Sequence, residues 1–123
     1  MIVSFDFDGT LHRDGDPVLP ALTLLRWHDQ RGDSVLIVTT RTKSHEALEW
    51  WQSHEPQRVL VAEFIASHHL PIQSVIFTAH ERKATSLAHH GINLHYDDDP
   101  VEIAAAEAIG VRALLLNGVA IHA

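Results

Sequence analysis

Short runs rich in Val, Ile, Leu and Phe alternate along the chain with longer segments in which apolar residues return every three or four positions. The first pattern marks buried strands, and the second marks helices with one apolar face. Runs at 1–7, 34–39, 74–78, 92–96 and 111–116 read as five strands, and 18–31, 44–54, 57–69, 81–90 and 100–109 read as helices. In the first helix Leu22, Leu25 and Trp27 lie near one face, and Gly32 closes it. Pro56 parts the second helical stretch from the third, because proline removes a helix hydrogen bond and crowds the preceding turn. Gly91 and Gly110 stand at two helix-to-strand turns. Trp50, Trp51 and the apolar run 59–65 fit a core or a face shared with a second copy.

This alternation predicts an α/β fold, a doubly wound five-stranded parallel sheet flanked by helices. At 123 residues and 46% hydrophobic, the chain suits one compact domain over 1–123 and is too short for two. No stretch approaches the roughly 20 apolar residues of a membrane span, and no basic start leads into an apolar run, so the cytoplasm is the expected compartment. Cysteine is absent, which excludes thiol catalysis and thiolate metal sites. A net charge of -7 disfavours indiscriminate nucleic-acid binding, which draws on many Lys and Arg contacts to phosphate. The eleven histidines share no ligand spacing and read as a bias of composition. Acids, by contrast, gather in two short clusters, a pattern that fits local work around a cation.

In doubly wound sheets ligands collect at the carboxyl ends of the strands, and polar residues cluster there in this chain. The first strand ends in Asp6-Phe7-Asp8-Gly9-Thr10-Leu11, where alternation turns Asp6 and Asp8 to one side and Phe7 to the other. Two carboxylates so close repel unless a cation or a shared proton relieves them. Gly9 permits a sharp turn, and Thr10 offers its hydroxyl back to the loop. The second strand ends in Val38-Thr39-Thr40-Arg41, with hydroxyls and a guanidinium suited to phosphate. Lys83, one of two lysines beside Lys43, opens the helix before the fourth strand. That strand ends in Tyr96-Asp97-Asp98-Asp99-Pro100, three acids that suit either a hard cation or a helix cap.

Asp-x-Asp-Gly-Thr after an apolar N-terminal strand resembles the first motif of the haloacid dehalogenase (HAD) superfamily, and the three later clusters resemble its remaining motifs in order, from Asp6 to Asp98. The resemblance implies a Rossmann-like hydrolase domain and a Mg2+-dependent phosphatase. Asp6 becomes the nucleophile that forms an aspartyl-phosphate. Asp8 becomes the general acid and base, with its backbone carbonyl on Mg2+. Lys83 neutralises nucleophile and phosphate. Thr39 binds the phosphoryl oxygens, with Thr40, Arg41, Gly9 and Thr10 around it. Asp98 is the implied Mg2+ ligand, Asp97 stands beside it, and Asp99 takes the place of a small residue. Many relatives have Gly where this chain has Thr40, which alters the loop there.

Cap domains in this family are inserted after the first or second motif. Here 11–20 is short and 42–71 reads as helical crossover, so no cap is expected. The implied substrate is a phosphorylated small molecule, or an accessible phosphate on a larger one, with a second copy as a means of closing the cleft. The Thr-x-Arg segment, the lysine ahead of the acidic pair and the missing cap also resemble phosphatase domains of polynucleotide kinase-phosphatases, which implies a nucleotide or nucleic-acid 3'-phosphatase as an alternative. His12, Arg13 and Asp14 read as a solvated turn beside the cleft. A non-catalytic phospho-signalling module is the alternative of another class. Receiver domains, however, carry paired acids after strand one and a lysine after strand five, an order this chain does not follow.

Overall fold

A parallel sheet of five strands organises the computed structural model of the chain, in which residues 1–41 and 57–116 are described. Along the chain run β1 (Ile2–Phe5), β2 (His12–Arg13), β3 (Asp16–Pro17), α1 (Leu19–Gln30), β4 (Ser34–Thr39), α2 (Gln57–Ser67), β5 (Ser74–Phe77), α3 (Ala84–His89), β6 (Leu94–Asp97), α4 (Pro100–Ala108) and β7 (Arg112–Leu115). The strand order is β5-β4-β1-β6-β7, with every neighbouring pair parallel. From β1 the chain winds one way to β4 and β5, then returns to the other side of β1 for β6 and β7. The reversal falls between β1 and β6, and at such a switch point the loops diverge and leave a crevice at the carboxyl ends.

Alternate residues of the central strands feed two cores. Val3, Phe5, Val35 and Ile37 pack with Leu22, Leu25 and Val61, whereas Leu36 and Val38 pack with Leu87, Ala106 and Ala113. A strand buried on both faces has no polar alternation, which is why β4 reads as an unbroken apolar run. Each fully buried Leu, Ile or Phe contributes about 1.5–3 kcal/mol, so the centre of the sheet, where the crevice opens, is its best anchored part.

Several sequence expectations are corrected. β1 ends at Phe5, although Asp6 still donates its amide to the Tyr96 carbonyl at 2.8 Å. The 11–20 loop is not a simple turn: β2 and β3 pair antiparallel, His12 with Pro17 and Arg13 with Asp16. Asp14 (φ 52) and Gly15 (φ 88) make the two-residue connection with the positive φ values that fit strand twist in tight hairpins. On α1 the buried stripe is Ala21, Leu22, Leu25 and His28, while Trp27 stays 50% exposed under the Arg31 guanidinium. α3 is shorter than its expected span of 81–90, and Ala79 (φ 53) and His80 (φ 70) turn the chain left-handed ahead of it. β6 starts later and reaches Asp97. The expected 44–54 helix, Lys43, Trp50, Trp51 and Pro56 lie outside the described residues. Among the described residues no helix is long and apolar enough to cross a membrane.

Candidate active site

Two adjacent strands deliver the acidic groups. Asp6 leaves β1, and Asp97 to Asp99 leave β6, with the Asp6 amide to Tyr96 carbonyl bond fixing one against the other. The Asp6 carboxylate is buried, with Oδ1 accepting from Lys83 Nζ at 2.7 Å and Oδ2 from Thr10 Oγ1 at 3.1 Å. Lys83 comes from the turn before α3 and is itself buried; its ammonium also donates to Asp97 Oδ2 at 2.6 Å. The Lys83 amide donates to Glu102 Oε2 at 3.0 Å, which ties the α3 entrance to α4.

The three consecutive aspartates point three ways. Asp97 faces inward, where Oδ2 also accepts from His95 Nε2 at 2.8 Å and Oδ1 accepts from the Asp99 amide at 3.1 Å. Asp99 caps α4 by accepting from the Val101 amide at 2.9 Å. Asp98 lies over Gly9, with a carboxylate oxygen within 4.8 Å of one of Asp6. Gly9 has φ +84, and a Cβ there would stand 2.7 Å from the Asp98 carboxyl carbon and closer to its Oδ2. The missing side chain therefore makes room for the acid.

A cleft of about 670 Å³ opens over this group, lined among others by Asp6, Asp8, Thr40, His80, Lys83 and Asp98. Asp8 stands at its edge, with a side chain 47% exposed, and Arg41 grips it through Nε to Oδ2 and Nη2 to Oδ1, both at 2.7 Å. Arg41 is thus directed to Asp8, with its guanidinium 5.4 Å above the Phe7 ring centre. Thr40 lines the cleft, whereas Thr39 is buried and its Oγ1 accepts from the Arg41 amide at 3.3 Å.

Burial pushes the Asp6 carboxyl up to about 8; the Asp97 charge and the Asp98 hydrogen bond act in the same direction, and Lys83 opposes them. Burial also acts against an ionised Asp97, but the His95 hydrogen bond and the Lys83 ammonium outweigh it and hold Asp97 at about 2. For Lys83 burial lowers the pKa, and the carboxylates of Asp6 and Asp97 more than reverse it, so the ammonium persists. Burial lowers the pKa of His95 and keeps its ring neutral, although Asp97 pulls the other way. The interior therefore holds the Lys83 ammonium between two acids, a firmly ionised Asp97 and an Asp6 whose carboxyl burial pushes up.

Asp6, Asp97 and Asp98 each place a carboxylate oxygen within 4.8 Å of the others. An all-oxygen set of this kind fits a hard divalent cation such as Mg2+. The Asp6 oxygens are engaged by Lys83 and Thr10, so a cation held there would add to those contacts. Both Asp97 oxygens are already engaged by protein donors.

Sequence reasoning passed over Ser4, His95, Glu102 and His80. Glu102 carried a signal, because Asp99-x-x-Glu102 has the spacing of a helix capping box, yet its carboxylate goes to the Lys83 amide. Ser4 and His95 carried none, being single polar residues inside apolar strands.

No protein-family model matches the chain, and no curated protein matches it. Solved structures do. The chain is similar to a chain in the structure of the Pnkp1/Rnl/Hen1 RNA repair complex, with a TM-score of 0.70 and 15% identity over 94% of this chain and 42% of that one. A second structure of the Pnkp1/Rnl/Hen1 complex matches with a TM-score of 0.65 and 16% identity, over 94% of this chain and 45% of the other. The likeness is one of fold. This chain spans less than half the length of the chains it matches.

Proposed function

We propose that the chain is a Mg2+-dependent phosphatase of the HAD type that hydrolyses phosphate monoesters through Asp6. The observation that carries this reading is the setting of Asp6: a buried carboxyl at the switch point, gripped by the Lys83 ammonium and the Thr10 hydroxyl, with Asp98 across from it. Such an acid is costly to bury unless it does chemistry.

Asp6, Asp98 and the Asp8 backbone carbonyl would hold the cation, which when bound offsets the charge of the phosphoryl oxygens. A carboxylate oxygen of Asp6 attacks phosphorus, and the ester P–O bond breaks as the new O–P bond forms. Asp8 gives its proton to the departing alkoxide. Water then attacks phosphorus and passes a proton to Asp8, the bond to Asp6 breaks, and inorganic phosphate leaves. Lys83 neutralises the carboxylate before attack and the phosphoryl group after it. Thr40 faces the cleft and offers a hydroxyl to the phosphate. Because Arg41 holds Asp8 at rest, that pair must part before Asp8 can transfer a proton.

A panel of phosphate esters assayed with and without Mg2+, alongside Asp6→Asn and Asp8→Asn, tests the proposal. Hydrolysis of at least one ester only with the metal is expected, with both variants folded and inactive. Turnover that survives Asp6→Asn refutes the covalent route.

A second reading, a nucleic-acid 3'-phosphatase, is favoured by a neighbouring cavity of about 300 Å³ on the far side of Arg41, lined by Phe7, His12, Phe64 and His68. There the Phe7 and His12 rings stack at 5.1 Å and Phe64 meets them edge-on. The half-buried His12 and Phe64 rings, with Phe7 buried behind them, offer a base a surface next to the Arg41 guanidinium, and stacking contributes about 1–3 kcal/mol per base. The fold likeness to a chain of an RNA repair complex supports the same reading. Activity on 3'-phosphorylated oligonucleotides but not on sugar phosphates or an abasic 3'-phosphate is its expected signature, and equal rates on all three dismiss it.

A further inference from the structure

We infer that Ser4 and His95 are positioning residues that hold Lys83, and through it Asp6, in the geometry for attack. The inference rests on the phosphatase reading for its catalytic meaning. Four hydrogen bonds form one buried line: Ser4 Oγ to His95 Nδ1 at 2.7 Å, His95 Nε2 to Asp97 Oδ2 at 2.8 Å, Lys83 Nζ to the same Oδ2 at 2.6 Å, and Lys83 Nζ to Asp6 Oδ1 at 2.7 Å. Ser4, His95 and Asp97 are fully buried and Lys83 nearly so.

Sheet register builds this line. Ser4 and His95 are direct partners across β1 and β6, and Asp6 and Asp97 follow each of them by two residues on the same face. The acids at the carboxyl ends therefore stand on a polar rung one step further back. An ionised Asp97 only accepts, so His95 carries a hydrogen on Nε2; with the ring neutral, as its burial favours, Nδ1 is left as an acceptor for the Ser4 hydroxyl.

Asp97 Oδ2 thus has two donors on different elements, the ring from β6 and the ammonium from the turn before α3. Without the ring, Asp97 is free to tilt toward Lys83 and the ammonium to leave Asp6. An apolar pair at positions 4 and 95 would fill the space with no polar group to satisfy, so the polar rung is costly for packing alone.

His95→Phe keeps a ring and removes the donor, His95→Gln returns a donor, and Ser4→Ala leaves Nδ1 without its partner while Asp97 still holds the hydrogen on Nε2. Rapid acylation of Lys83, followed by mass spectrometry, reads its exposure without any need for turnover. Faster labelling is expected in His95→Phe, and a rate near wild type in His95→Gln. A fall in kcat of about ten- to a hundredfold for His95→Phe, with KM for the ester little changed and most of the loss restored by His95→Gln, is the expected kinetic counterpart. Nitrogen-15 NMR of the metal-free protein should show His95 neutral with hydrogen on Nε2, and faster Lys83 labelling in Ser4→Ala than in wild type serves if His95→Phe does not fold.

A charged ring or an Nδ1–H tautomer in wild type overturns the inference. So do unchanged Lys83 labelling in His95→Phe and equal defects in Phe and Gln variants. If wild type hydrolyses no ester, the phosphatase reading fails, and the labelling and NMR results still decide the hydrogen-bond line.

Discussion

Gly9 and Asp98 share one small space: the glycine is in the left-handed region at φ +84, and the aspartate carboxyl fills the position its Cβ would take. Gly9→Ala should therefore act twice. The backbone is strained by about 1–3 kcal/mol, and Asp98 is pushed away from Asp6. Calorimetric Mg2+ titration should show weakened binding in a protein that still melts cooperatively; unchanged affinity would mean that Asp98 does not hold the cation.

Lys83→Met leaves Asp6 and Asp97 facing each other in the interior without their shared cation. Removing one partner from a buried charge pair costs about 3–5 kcal/mol, so the urea midpoint should fall sharply and turnover should vanish. A variant as stable as wild type would show that the cluster is more hydrated than its burial implies.

Metal binding should depend on pH through Asp6. Its carboxyl is pushed up to about 8 in the metal-free chain, so below that pH a cation must displace a proton from Asp6, while above it the site is already ionised. Affinity for Mg2+ is expected to rise with pH up to about 8 and then level off, with a proton released on binding at pH 7. Calorimetry in buffers of different ionisation enthalpy measures that proton, and its absence counts against the assignment of Asp6.

Far from the cleft, Asp33 should set part of the acid stability. Its Oδ2 meets His28 Nδ1 at 2.8 Å and Arg31 Nε at 3.2 Å, and its Oδ1 meets the Met1 amino group at 3.0 Å. The His28 hydrogen bond leads in holding its pKa below the usual carboxylate value, against some desolvation and with help from the amino terminus and Arg31. A lowered folded pKa means that this stabilisation is complete above the unfolded value of about 3.9 and is lost as pH falls through the folded one. Asp33→Asn should lower the urea midpoint at pH 7 and flatten its decline below pH 4; an identical acid limb in both proteins would dismiss the role.

The strands of the central sheet were legible because residues buried on both faces leave uninterrupted apolar runs, as in Val35 to Val38. The β2 and β3 hairpin was not, since strands of two residues are too short to show alternation; only Asp14-Gly15 marked it. Trp27 was misplaced by its size: one more step along the helix puts His28 on the stripe instead. In the candidate site, the meeting of Asp6, Lys83, Asp97 and Asp98 followed from placing motifs at strand ends. The separate directions of Asp97, Asp98 and Asp99 did not, because three adjacent letters look alike until the strand ends among them. Arg41 was read as a phosphate ligand and rests on Asp8, an attachment between distant segments that no local pattern encodes.

The hydrogen bond from the Asp6 amide to the Tyr96 carbonyl binds the cleft to the pairing of β1 with β6. A slip of one position between these strands would turn Asp6 and Asp97 to opposite sides of the sheet, so mispairing at the centre of the sheet takes the cleft apart with it.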